Sequence, residues 1–141
     1  MVSRVVIDTC VFVAALRSSG GASFRVMNLV GSGRFEFALS VPLVLEYEDA
    51  AKRLGDATAL SHAEIDDVLD YLCSVGHHQE IHFLWRPALR DPCDDHVLEL
   101  AVEADCDLIV THNIRDFADA ERFRVEAVRP GEFLRRIGVP S

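Results

Sequence analysis

The feature that most constrains this chain is its first strand. Val2 to Ile7 carries β-branched residues on both sides of its alternation, so neither face can be left to water, and the run stops abruptly at Asp8-Thr9-Cys10. A strand buried on both faces belongs inside a sheet that is covered by helices above and below. Asp107 to Thr111, with Leu-Ile-Val at its centre, is a second short run of the same kind.

Helical patterns alternate with these strands. Val11 to Arg17 reads as a short apolar helix closed by Ser18-Ser19-Gly20-Gly21, and Ala22 to Val30 repeats apolar residues at helical spacing before Gly31-Ser32-Gly33. Phe35 to Val41 alternates as a strand. Pro42 opens the next helix in its favoured first-turn position, with Leu43, Leu45, Tyr47, Ala50, Ala51 and Leu54 expected on the buried side and Glu46 one turn inside. Ser61-His62-Ala63-Glu64 is a capping box that starts a helix over 61–75, with Asp66, Asp67 and Asp70 facing outward. Glu80 to Trp85 is expected as a strand, Asp91-Pro92 as the start of a helix, Asn113 to Phe117 as a loop, Arg124 to Val128 as a weak strand and Gly131 to Ile137 as a last helix behind Pro130. The expectation is one domain over residues 1–141, an α/β protein built as a three-layer α/β/α sandwich on a central, mainly parallel sheet.

Charge narrows the function. The chain has 14 Lys+Arg and 23 Asp+Glu, a formal net charge of −9, so it cannot hold nucleic acid by bulk attraction. Residues 41–121 carry nineteen of the acids. Cys10, Cys73, Cys93 and Cys106 lack zinc-ligand spacing, and Cys73, His77, His78 and His82 form no recognised metal pattern. With no secretory signal and no apolar run long enough to span a bilayer, a cytoplasmic protein without membrane contact is expected.

In parallel α/β sheets the functional crevice lies beyond the carboxyl ends of the strands, where strand order reverses. Asp8 ends the first strand; Thr111-His112-Asn113 ends the late one, with Asp116 three residues on; Asp91, Asp94 and Asp95 crowd the start of the helix between. Acids in a first helical turn also serve as caps and offset the macrodipole, which accounts equally well for Asp91 and Asp95. It does not account for Asp8, whose carboxylate meets desolvation and like charge unless a cation joins the group. Hard oxygen donors of this kind select Mg²⁺ or Mn²⁺, and such ions point to phosphate chemistry.

Four segments then carry a resemblance: Val-Ile-Asp8-Thr-Cys-Val-Phe, Ser40-Val-Pro-Leu-Val-Leu-Glu46-Tyr, Arg90-Asp-Pro-Cys-Asp94-Asp-His, and Leu108-Ile-Val-Thr-His-Asn-Ile-Arg-Asp116-Phe. In this order and spacing the chain resembles the PIN-domain nucleases, especially bacterial single-domain toxins of toxin–antitoxin systems. The resemblance implies that Asp8, Glu46 and Asp94 hold the divalent metal, with Thr9 and Thr111 supplying hydroxyls beside metal and phosphate. It also implies cleavage of single-stranded RNA, a homodimer or higher homo-oligomer, and an antitoxin partner. Two positions depart from the family pattern. Cys10 stands where Asn is common, and Asn113 stands where a fourth acid is common, leaving Asp116 as the nearest carboxylate. The expected activity is a metal-dependent endoribonuclease; the competing class is a non-catalytic RNA- or protein-binding module with a degraded metal site. A phosphoacceptor domain is disfavoured because the only lysine, Lys52, lies on an early helix rather than after a late strand. Arg17, Arg53, Arg86, Arg90 and Arg115 are candidates for steering phosphate.

Overall fold

A computed structural model describes residues 2–81 and 95–139 of the chain. Five strands, β1 (Arg4–Ile7), β2 (Glu36–Leu39), β3 (His77–His78), β4 (Leu108–Val110) and β5 (Glu126–Val128), form one sheet in the order β3-β2-β1-β4-β5. Every pairing is parallel. Around it lie α1 (Thr9–Arg17), α2 (Ala22–Asn28), α3 (Val41–Lys52), α4 (His62–Val75), α5 (Asp95–Glu103) and α6 (Pro130–Arg136). This is the expected α/β protein, with a parallel sheet flanked by helices.

The chain builds outward from β1 to β2 and β3, then returns across the sheet to β4 and β5. Because parallel crossovers are right-handed, the outward half puts α1 to α4 on one face and the return puts α5 on the other. The packing agrees: α1 lies against α2 and α3, α3 against α4, and α2 against α6, while α5 packs on β1, β2 and β4. The direction of winding therefore reverses between β1 and β4, whose carboxyl ends carry Asp8 and Thr111. Val5, Val6 and Ile7 are buried, as are Leu108, Ile109 and Val110, which confirms that these strands are covered on both sides.

Local chemistry sets the helix starts. Ser40 accepts the Leu43 N–H at 3.3 Å ahead of α3, with Pro42 in the first turn, and Ser61 and Glu64 exchange hydrogen bonds as a complete capping box before α4. Asp66, Asp67 and Asp70 are exposed on α4 as expected, and Asp66 pairs with Lys52 at 2.7 Å. At the end of α4, Gly76 is wedged against the sheet: a Cβ there would stand 2.8 Å from Leu39 Cδ1 and 2.9 Å from Phe37 Cε2, closer than a side chain tolerates.

Several expectations need correction. The third strand is His77–His78 and not Glu80–Trp85: Glu80 is not in a strand, and residues 82–85 lie outside the described residues. It pairs Ala38 with His77 and Leu39 with His78 at the sheet edge, where backbone hydrogen bonding recruits polar residues that no apolar pattern marks. Leu45 is 57% exposed and Val41 72% exposed, so the buried stripe of α3 is narrower than its composition suggests. Val41 opens α3 and does not end β2. Asn113 to Phe117 is no plain loop, because a 3₁₀ stretch runs Ile114–Phe123 with a kink at Phe117. The Asp91-Pro92 helix start lies outside the described residues, and α5 is seen from Asp95.

Candidate functional site

Asp8 ends β1 and caps α1, a double duty that fixes both its place and its burial. Its backbone N–H donates to the Val110 carbonyl at 2.9 Å, locking the strand end to β4. Its carboxylate receives the Thr9 backbone N–H at 2.9 Å on Oδ1, and on Oδ2 the Thr111 hydroxyl at 2.7 Å and the Cys10 thiol at 3.3 Å. The residue is only 4% exposed. Burial raises the Asp8 carboxyl above its ordinary range; the hydrogen bonds from Thr111, Cys10 and Thr9 oppose that rise, and the charge of Glu46 adds to it.

Glu46 enters from α3 on the same side. Thr9 links the two acids, because its backbone N–H serves Asp8 while its hydroxyl donates to Glu46 Oε1. The other oxygen of Glu46 meets His96 Nε2 at 3.0 Å, from the first turn of α5. That histidine hydrogen bond is the chief reason the Glu46 pKa is lowered, against partial burial, with Thr9 helping. The sign for stability follows: Glu46 contributes above the ordinary glutamate range, and the contribution is lost as pH falls through its lowered folded value. Glu46→Gln is therefore expected to flatten the acid limb of the melting-temperature profile only slightly, because the pair is partly open to water, as measured by thermal unfolding of the metal-free protein; a steeper acid limb in the variant would contradict the sign.

Thr111 is the hub on the β4 side. Buried at 0% exposure, it donates to Asp8, accepts the Asn113 N–H at 3.0 Å and lies 3.5 Å from Cys10 Sγ. Burial, with the Asp8 charge second, pushes the Cys10 thiol up to about 11, so it stays protonated and remains a donor. It thereby supplies part of what an amide would offer at this position. His112 donates its backbone N–H to Cys10 Sγ at 3.4 Å, and its ring meets the buried Ser23 Oγ at 2.7 Å.

Of the residues expected from sequence, Asp8, Thr9, Glu46 and Thr111 are thus joined by direct side-chain contacts. Asn113 is exposed and reaches the group through its backbone. Asp116 is tied on through main chain alone, its N–H donating to the Asn113 carbonyl at 3.0 Å, and no side-chain hydrogen bond connects it to Asp8 or Glu46 among the described residues. Asp94 lies outside the described residues, as do Arg86 and Arg90. Arg53 is paired with Asp49 at 2.6 Å on the far end of α3, which removes it as a phosphate-steering candidate. Sequence reasoning missed His96. It also missed Glu99, an acid only 3% exposed in the middle of α5.

Among the described residues no group of three or more His, Cys, Asp or Glu side chains is placed to hold a metal ion. Two carboxylates are nonetheless what Mg²⁺ commonly takes from a protein, with water and phosphate completing its shell. Asp8 and Glu46 are hard oxygen donors, and the rise in the Asp8 pKa marks a buried anion that a cation would relieve. The described donors therefore fit a divalent ion. Beside the site, a cleft of about 540 Å³ runs past the ends of β4 and β5, lined in part by His112, Ile114, Arg129 and Arg135. Among the described residues no helix is long and apolar enough to cross a membrane.

Compared with known families, residues 4–115 match the family described as the PIN domain. No curated protein matches the chain.

Proposed function

Given that this chain belongs to the PIN-domain family, whose members are mostly metal-dependent nucleases, we propose that it is a divalent-metal-dependent endoribonuclease acting on single-stranded RNA. The observation that carries the reading is Asp8, a buried carboxylate at the switch point of the sheet, bridged by Thr9 to Glu46. Capping α1 accounts for one oxygen of Asp8 but does not need a full negative charge buried beside a second carboxylate, since Asn or Ser caps as well. Asp8 and Glu46, together with Asp94, would hold Mg²⁺ or Mn²⁺, and Thr9, Thr111 and Asn113 support them. The ion, when bound, supplies an activated water and neutralises charge on the phosphodiester.

The chain's own residues do the rest. Thr111 and Cys10 orient Asp8 from beneath, and Thr9 fixes both carboxylates at the start of α1. Asp116, in the first turn of the 3₁₀ stretch that follows Thr111-His112-Asn113, is the candidate fourth acid of the catalytic group. Of the arginines in the cleft, Arg129 is the candidate along which an RNA flank can lie, since Arg135 is paired with Glu132 at 3.1 Å. On an overall anionic chain, however, docking needs the local sign inverted by the cation.

The test uses a circular single-stranded RNA, which only an endonuclease can open. With Mn²⁺ or Mg²⁺ the circle is expected to become linear, and fluorescence anisotropy is expected to show RNA bound far more weakly in excess EDTA. Equal cleavage in EDTA contradicts the proposal. Asn113, in place of a fourth acid, favours the second reading of a non-catalytic module; that reading predicts RNA or protein binding without opening of the circle under any metal. The toxin role, with a cognate antitoxin and a homodimer or higher assembly, is part of the same proposal, and a short antitoxin-like reading frame beside the gene is its expected companion.

A further inference from the structure

Glu46 is a flexible side chain, and freezing its rotamers costs entropy that a bare position on α3 would not repay. Both of its oxygens are nevertheless held, from opposite directions. The Thr9 hydroxyl donates to Oε1 from the start of α1, and His96 Nε2 lies 3.0 Å from Oε2 at the start of α5. An ionised carboxylate only accepts, so Nε2 carries a proton and donates. Each oxygen still has a lone pair left, so the two donors orient Glu46 without consuming its capacity for a cation. The pair is partly open to water, with side-chain exposures of 26% for His96 and 39% for Glu46, and pairs of that kind contribute little to folding. Its consequence is geometric: α5 and α3 approach across the site, and this contact sets where the carboxylate of Glu46 points.

We infer that His96 is a positioning residue that presets Glu46 for the divalent ion by donating from Nε2 to Oε2. The inference rests on the proposed metal-dependent function and adds a residue to it. Histidines and other donors behind metal-binding carboxylates typically change affinity by roughly 10–100-fold when removed. A cationic imidazole acting only by charge would do the reverse, since its removal would strengthen binding.

The experiment titrates Mn²⁺ into the full chain and follows the loss of the free-ion EPR signal, for wild type, His96→Ala, His96→Asn and His96→Gln. His96→Ala and His96→Asn are expected to weaken binding by about tenfold or more, and His96→Gln, whose amide can reach Oε2, to remain within about threefold of wild type. Thermal unfolding of the metal-free variants is expected to stay close to wild type, which a merely structural role would not allow. If His96→Ala fails to fold, the comparison of Gln with Asn decides the matter by the same criterion. Wild type that binds Mn²⁺ while His96→Ala binds it as tightly overturns the inference and leaves the function standing. So does a Gln variant no better than Asn. Wild type that binds no Mn²⁺ overturns the functional reading and this inference with it.

Discussion

Asp8→Asn is expected to abolish metal-dependent RNA cleavage, by at least about a hundredfold, while making the metal-free protein more stable. The two effects share one cause. The folded-state pKa of Asp8 is raised, chiefly by burial, so at neutral pH its ionised form costs folding free energy, and that cost disappears only as pH falls below the ordinary carboxylate range. Asparagine removes the charge and can keep the packing of polar groups: its carbonyl can accept the Thr9 N–H, its amide can donate to Thr111 Oγ1, and the Thr111 hydroxyl can turn its own proton towards Cys10 Sγ, 3.5 Å away. The α1 cap is preserved because Asn is as good a cap as Asp. A gain of about 1 kcal/mol, or roughly 3–5 °C in melting temperature, is expected for a chain of this size. A lower melting temperature for Asp8→Asn would mean that the buried carboxylate is satisfied without a cation, and would remove the main argument for one.

The second large effect concerns Tyr47, the neighbour of Glu46 on α3. Its ring is 1% exposed and packs on Phe12 of α1 with centroids 4.9 Å apart, while its hydroxyl donates to the Ile7 carbonyl, the last of β1 before Asp8. One side chain thus joins α3, α1 and the strand end that presents the acid. Tyr47→Ala is expected to cost about 3–5 kcal/mol, a large share of the roughly 5–15 kcal/mol that holds a domain together. Tyr47→Phe keeps the packing and loses the hydroxyl, for about 0.5–1.5 kcal/mol. Urea unfolding of both variants measures the two contributions. A Phe variant as damaged as the Ala variant would contradict the packing account.

Asp8 and Thr111 are legible in the sequence because each directly follows an apolar run that must be buried on both faces, at the carboxyl ends of strands where the crevice of a parallel sheet lies; that Asp8 also caps α1 is visible only in the structure. Pro42 sets the start of α3 and so places Glu46 one turn in, but only the family resemblance marks Glu46 as a site acid. Other features arise from distance in the chain. His96 meets Glu46 across fifty residues, and no local pattern pairs a histidine on one amphipathic helix with a glutamate on another. Cys10 offers a weak donor where an amide is common, and the fold buries the thiol enough to keep it protonated and points it at Asp8. β3 escaped notice because its two histidines are exposed and paired only through backbone, whereas the apolar run just beyond drew the expectation of a strand.

The central claim is that a net-negative chain creates a local cation site at the switch point of its sheet. Calorimetric titration of the metal-free protein with Mn²⁺ tests it most directly. Saturable binding in the sub-millimolar to millimolar range, lost in Asp8→Asn, is the predicted result; no saturable heat in wild type, or the same heat in both proteins, would contradict it.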